Sequence, residues 1–131
     1  MILDSSAVIA MLLREPGWEA LVDHVSQSAQ PAIGAATLAE TGAVLTARMG
    51  IAGHTLLERF LVEANVCVIP LTAEHARVAT DAFRRFGRGR HPAALNVGNC
   101  LTYATARVAA EALLCVGNDF PQTDLEVASP V

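Results

Sequence analysis

Three carboxylates and one amide stand near the points where predicted strands end. Asp4 directly follows the apolar residues 1–3, Asp119 follows a late apolar run, and Glu40 and Asn99 lie near the starts of two predicted helices. Ligands of open α/β sheets bind outside the carboxyl ends of the strands, where these four side chains could converge. Clustered carboxylates repel one another unless a hard cation such as Mg²⁺ or Mn²⁺ neutralises them. The pattern therefore indicates a metal-dependent phosphoryl-transfer site.

The elements that would hold these side chains alternate between strand and helix. Short apolar or β-branched runs bounded by turn residues predict strands, whereas apolar residues three and four apart predict amphipathic helices. The alternation favours an α/β fold with a mostly parallel sheet of four to five strands and helices on both faces. The predicted strands are residues 1–3, 31–33, 66–70, 113–116 and 125–128, and the predicted helices include 7–13, 37–49, 56–64 and 96–110.

Length and composition predict one compact domain over residues 1–131, with 53% hydrophobic and 17% charged residues. The longest apolar run, residues 7–13, is about a third of the ~20 residues that cross a bilayer, so no membrane span is expected. No basic leader precedes Asp4, so we expect the chain to begin at Met1 and to act in the cytoplasm. A net charge of −4 argues against a wholly basic nucleic-acid-binding surface.

Positive charge is concentrated around a glycine-rich loop at residues 87–92. This short span and the helix end before it hold four of the nine basic side chains, and the loop leads into the helix that carries Asn99. That position favours contact with a nucleic-acid backbone over a merely solvated face. The cluster comprises Arg84, Arg85, Arg88, Arg90 and His91, of which Arg88, Arg90 and His91 are the candidate substrate-binding residues.

The cysteines and the helical histidines show no pattern of chemical use. Cys67, Cys100 and Cys115 form no C-x-x-C pair and are expected to be ordinary core residues. The histidines of the predicted helices, His75 among them, have no partner at the spacing of a metal pair or of a nucleophile and its base. We expect them at the surface.

Five motifs in order along the chain resemble the PIN-domain VapC toxins. Each motif alone is weak, but five with the right order and spacing span essentially the whole chain. The motifs are ILDSSAVIA at residues 2–10, the helix around Glu40, residues 89–96, the GNC turn at 98–100, and LLCVGNDF at 113–120.

The resemblance implies a Rossmann-like three-layer sandwich and a Mg²⁺-dependent endoribonuclease, with Mn²⁺ able to substitute, that cleaves structured RNA. It also implies one half of a bacterial toxin–antitoxin pair, a homodimer silenced by the tail of a VapB-type antitoxin. For the site it implies Asp4 as a direct metal ligand and Glu40 and Asp119 as the family's second and last acidic positions. It further implies that the Ser6 hydroxyl hydrogen-bonds to the site.

Asn99 departs from the family pattern. The family has aspartate in this turn and uses it as a second principal metal ligand, whereas Asn99 offers the same shape with one neutral oxygen. Asn99 stays a candidate ligand beside Asp4, Glu40 and Asp119, but metal affinity and catalysis are expected to fall sharply. An isosteric change in an otherwise intact motif favours a deliberate inactivating substitution over natural decay.

Taken singly, the acidic residues have simpler interpretations. Asp4 could cap the first helix, Glu40 could be a solvated helix residue, and Asp119 could stabilise a turn. Only their joint occurrence with the motifs favours the site.

Two other functions compete with the nuclease. If Asn99 is natural, the domain could be a non-catalytic protein that binds RNA or sequesters an antitoxin. A phosphoryl-transfer domain of receiver or haloacid-hydrolase type is disfavoured, because it would need a second aspartate where Ser6 stands or a nearby lysine.

Overall fold

The structure, a computed structural model, describes residues 1–128. In that part of the chain, short strands alternate with single helices or pairs of helices. The elements are β1 (Ile2–Leu3), α1 (Ser5–Leu12), α2 (Trp18–Gln27), β2 (Ala32–Gly34), α3 (Ala35–Met49), α4 (Ile51–Glu63), β3 (Cys67–Ile69), α5 (Ala73–Phe86), α6 (Val97–Ala109), β4 (Leu113–Leu114) and β5 (Val127–Ala128), with a 3₁₀ turn at Phe120–Gln122.

All five strands pair in parallel, in the order β3-β2-β1-β4-β5. The chain adds β2 and β3 on one side of β1 and then returns to add β4 and β5 on the other. The strand order therefore reverses between β1 and β4, which is where open α/β sheets form their ligand crevice. The predicted parallel sheet is confirmed.

The sheet is covered on both faces, because neighbouring residues of a strand point to opposite sides. The first residues of β1 and β4 pack with α5 and α6, whereas the following residues pack with α1 to α4. The predicted three-layer arrangement is thus confirmed. Ile2, Ala32 and Leu113 belong to the first of these cores, and Leu3, Ile33 and Leu114 to the second.

Small and hydroxylated residues allow α6 to pack closely against β2 and α3. A Cβ atom on Gly34 would lie 2.6 Å from the Oγ1 of Thr105, so the end of β2 needs a glycine there. One turn further, the buried hydroxyls of Thr37 and Thr102 form a hydrogen bond of 2.8 Å. These contacts fix the helix of Asn99 against the helix of Glu40.

Two of the sequence-based expectations about side-chain environment are wrong. Cys67 is exposed because β3 is an edge strand, although Cys100 and Cys115 are buried as expected. His75 is buried rather than at the surface, because its Nδ1 accepts the backbone N–H of Thr72 in a capping box at the start of α5. None of the helices within residues 1–128 has the length and apolar character to cross a bilayer.

Candidate active site

Asp4 lies at the carboxyl end of β1 and is only 3% exposed to solvent. Its Oδ2 accepts hydrogen bonds from the Ser6 amide at 3.1 Å and the Ser6 hydroxyl at 2.6 Å. The same hydroxyl accepts the backbone N–H of Val116 at 3.0 Å, just beyond β4. Ser6 thereby links the two strand ends at the point where the strand order reverses. Asp4 also caps α1, so the capping interpretation is compatible with a site.

The loop after β4 places Asp119 close enough to Cys115 for its charge to act on the thiol, as the charge of Asp4 also does. Burial, and then the negative charges of Asp4 and Asp119, raise the pKa of the Cys115 thiol to about 12. Cys115 therefore stays protonated near neutral pH and is not a nucleophile. Asp119 itself is exposed, while the adjacent Phe120 is buried in the core and anchors the loop.

Glu40 packs against the first turn of α6. A Cβ atom on Gly98 would lie 2.6 Å from the Glu40 Oε2, so the carboxylate occupies space that another residue type would fill. The contact places the Glu40 carboxylate beside the residue that precedes Asn99. Glu40 is otherwise exposed, as a residue accessible to a ligand must be.

Asn99 and Asn96 together cap the start of α6, each hydrogen-bonding to the backbone of the other. The Asn99 Oδ1 accepts the backbone N–H of Asn96 at 3.1 Å, and the Asn99 N–H donates to the Asn96 Oδ1 at 2.8 Å. The one carbonyl oxygen that Asn99 could offer a cation is thus already an acceptor. The spacing of two asparagines three residues apart before an apolar helix is a capping-box signal that could have revealed this role.

The donor atoms fit a hard divalent cation in kind, but they do not form one cluster. Oxygen ligands are those that Mg²⁺ prefers, and Asp4 has no ion pair with any residue from 1 to 128. Within the same residues, no three His, Cys, Asp or Glu side chains lie close enough to hold a metal ion. The contacts instead join Asp4 to Ser6 and Glu40 to Gly98, with Asp119 near Cys115.

The loop after α5 exposes two of its three candidate RNA-binding residues. Arg88 and Arg90 are exposed and make no ion pair within residues 1–128. His91 is half-buried, since its ring lies edge-on to Phe86 at 5.1 Å and its Nδ1 accepts the Ala93 N–H at 3.0 Å. His91 therefore also shapes the loop.

A polar network that the sequence did not reveal secures the segment carrying Asp119. Asp124 accepts the Tyr103 hydroxyl at 2.6 Å and Arg85 at 2.9 Å, and it pairs with Arg107 at 3.3 Å. Burial acts to raise the pKa of Asp124, but the hydrogen bonds from Tyr103 and Arg85 and the arginine charges outweigh it and lower the pKa. No periodicity or motif marks this network, because its members come from three separate segments.

We expect Asp124→Asn to lower stability at pH 7 by about 1–2 kcal/mol, allowing for the partial solvent screening of the carboxylate. Because the folded-state pKa is lowered, the stabilisation is complete above the unfolded value of about 3.9 and is lost as pH falls through the folded-state pKa. Urea unfolding at pH 7 and at about pH 3 should show the difference between wild type and variant shrink in acid.

Glu63→Gln is the matched control, since Glu63 makes one exposed ion pair, with Arg59. Its effect on the free energy of unfolding at pH 7 should be close to zero. Equal stability of the Asp124→Asn and wild-type proteins at pH 7 would contradict the role given to the network.

Comparisons with known proteins agree with this fold. The PIN domain family model matches residues 1–126. Ribonuclease VapC36 of Mycobacterium tuberculosis is 50% identical over 127 residues, which cover 96% of this chain and 91% of that protein. Ribonuclease VapC of Mycolicibacterium smegmatis is 38% identical over 125 residues, which cover 95% of this chain and 97% of that protein. The chain therefore belongs to the PIN-domain family and, within that family, to the VapC ribonucleases.

Solved structures show the same fold at low sequence identity. The sarcin–ricin loop cleaving toxin VapC20 of Mycobacterium tuberculosis superposes with a TM-score of 0.77 at 16% identity, covering 95% of both chains. A toxin–antitoxin complex from Klebsiella pneumoniae gives a TM-score of 0.73 at 14% identity, covering 99% of this chain and 97% of the other. The family resemblance inferred from the five motifs is confirmed.

Proposed function

We propose that this protein is the endoribonuclease toxin of a bacterial toxin–antitoxin pair and that it acts with a divalent cation, Mg²⁺ or in its place Mn²⁺. The observation that carries the proposal is the Asp4 carboxylate, which is buried where the strand order reverses. The Ser6 hydroxyl donates a hydrogen bond to this carboxylate, and no cationic side chain within residues 1–128 forms an ion pair with it. A buried carboxylate is costly unless a cation compensates it. The 50% identity to a ribonuclease supports RNA as the substrate.

Asp4, Glu40 and Asp119 are the residues that would hold the cation. When bound, a divalent cation supplies charge neutralisation at the phosphodiester and lowers the pKa of attacking water. Ser6 keeps one Asp4 oxygen oriented, which leaves the other available as a ligand. Glu40 and Asp119 are exposed, so their carboxylates are accessible from solvent.

Asn99 makes this centre a weak one. Its neutral oxygen already accepts the Asn96 N–H, so it adds no charge and at most a shared acceptor to the ligand set. The engaged oxygen also favours the second candidate function, a non-catalytic PIN protein that binds RNA or sequesters an antitoxin. The two functions differ in whether a carboxylate at position 99 creates RNA cleavage.

The proposed partners follow from charge and exposed apolar surface. Arg88 and Arg90 would contact RNA phosphates, with His91 shaping their loop. A VapB-type antitoxin would inhibit by inserting an arginine between the site carboxylates, because a guanidinium can pair two carboxylates. Ile51 and Val62 of α4, about 80% exposed, support a homodimer. We take residues 1–131 as a single PIN domain acting in the cytoplasm.

Titration of the protein with Mn²⁺ by calorimetry tests the proposed site. We expect Asp4→Asn to weaken Mn²⁺ binding by at least about tenfold. Loss of a residue that orients a metal ligand already lowers affinity by about this factor, and loss of the ligand itself should lower it no less. Asp23→Asn, on the exposed face of α2, is the control and should bind as the wild type does. Equal Mn²⁺ affinity in the wild type and Asp4→Asn would exclude Asp4 as a ligand.

A further inference from the structure

Positive charge is segregated onto the α5–α6 hairpin, by which we mean α5, the loop 87–96 and α6. Residues 73–109 hold six of the nine basic side chains and two acidic residues, Glu74 and Asp81, whereas the rest of the chain holds three basic and eleven acidic residues. A protein with a net charge of −4 thus carries one strongly basic unit. The six are Arg77, Arg84, Arg85, Arg88, Arg90 and Arg107.

Three of these arginines converge on a groove between the two helices that lies apart from the loop. The groove has a volume of about 290 Å³. Arg77 is exposed at its edge and forms no ion pair within residues 1–128. The groove is lined by Arg77, Val78, Asp81, Arg85, Tyr103 and Arg107.

Asp124 holds two of the guanidinium groups in place without using all their donors. It contacts one terminal nitrogen of Arg85 and one of Arg107. A guanidinium has five N–H donors, so Arg107 keeps several that can reach a ligand. Three arginines against the carboxylates of Asp81 and Asp124 leave the groove with a net positive charge. Guanidinium groups held in this way suit the binding of one anionic group.

The groove is connected to the candidate active site through the segment that carries Asp119. Asp124 lies five residues beyond Asp119, so their Cα atoms are no more than about 18 Å apart even if the chain between them were extended. The 3₁₀ turn at Phe120–Gln122 shortens that separation. A polyanion long enough to cover this separation could contact both the site and Arg107, which favours a nucleic-acid backbone over an isolated acidic peptide.

We propose that the α5–α6 groove binds a backbone phosphate of the RNA through Arg77 and Arg107, away from the reacting bond. The inference rests on the proposed ribonuclease function and extends it to a residue pair on two helices. Planar guanidinium groups suit this task because they bind phosphate through paired hydrogen bonds. Each contact releases counterions, so the groove contributes to affinity in a salt-dependent manner.

Fluorescence anisotropy with a short labelled RNA hairpin, at roughly 50 to 200 mM salt, tests the groove. We expect Arg77→Gln to weaken binding and to reduce the slope of log affinity against log salt by about one, and Arg107→Gln to do the same. Arg77 has no ion pair to lose in residues 1–128, so its variant should unfold in urea as the wild type does. Arg59→Gln, on α4 and paired with Glu63, is the control and should leave affinity and slope unchanged.

Unchanged affinity and slope in both groove variants would overturn the inference. If polyglutamate displaces the RNA only from proteins that keep Arg77, the result supports one anion site that both ligands share. If polyglutamate binding depends on Arg77 but RNA binding does not, the inference is overturned in favour of a peptide site. Failure of the nuclease proposal has a different signature, because RNA binding would still depend on Arg77 while the Asn99→Asp protein cleaved nothing.

Discussion

Asn99→Asp is expected to produce RNA cleavage that depends on Mg²⁺ or Mn²⁺. The change adds an anionic oxygen next to the Glu40 contact at Gly98, and Glu40 is one of the carboxylates that would hold the cation. Aspartate can still accept the Asn96 N–H, and its charge is favourable in the first turn of α6, so the helix start is retained. The missing ligand charge could raise the activation free energy by several kcal/mol, so restoring it should increase the rate about a thousandfold.

Cleavage of total bacterial RNA by the purified Asn99→Asp protein, with and without a chelator, provides the measurement. Asp4→Asn in the same background should abolish the activity, and Asp23→Asn should not, because Asp23 lies on α2 outside the proposed site. If the Asn99→Asp protein binds Mn²⁺ yet cuts no RNA in the absence of antitoxin, the nuclease proposal is wrong. The non-catalytic binding function would then replace it.

Gly98→Ala in the active Asn99→Asp background should reduce cleavage by about a hundredfold. The new methyl group would stand 2.6 Å from the Glu40 Oε2 and must push that carboxylate away. Displacement of a group in an active site by about 1 Å can cost this much. The fold should tolerate the change, because Glu40 is exposed and flexible and alanine favours a helix more than glycine does.

Gly42→Ala provides the matched control for this prediction. Gly42 lies in α3 close to Glu40, and a Cβ atom there would meet only Leu57 Cδ2, at an ordinary 3.6 Å. Its kcat/KM should match that of the Asn99→Asp parent, and urea unfolding should show both alanine variants at least as stable as the parent. Equal cleavage by the two variants would remove Glu40 from the site, and Glu40→Gln checks that result without altering the backbone.

Local sequence patterns determined the element types, the parallel sheet and the family. Apolar periodicity depends on residues within one helical turn or one strand, so it can be recognised from the sequence alone. Asp4 and Asp119 could be assigned to strand ends for the same reason. Strand bounds were less predictable: β4 covers Leu113–Leu114 rather than residues 113–116, because a strand extends only as far as its neighbours pair with it.

The tertiary structure decided which polar side chains meet. The contact of Glu40 with Gly98 joins two helices that are far apart in sequence, and the ties of Asp124 to Tyr103, Arg85 and Arg107 join three segments. Tyr103 and Arg107 share one face of α6, but no helical or strand interval connects them to Arg85 or Asp124, or connects Glu40 to Gly98, so the sequence pattern does not predict either set of contacts. The convergence of Arg77 and Arg107 on one groove likewise arises only when α5 packs against α6. The sequence by itself determined the residue types available for metal and phosphate chemistry, whereas helix packing decided which of them lie together.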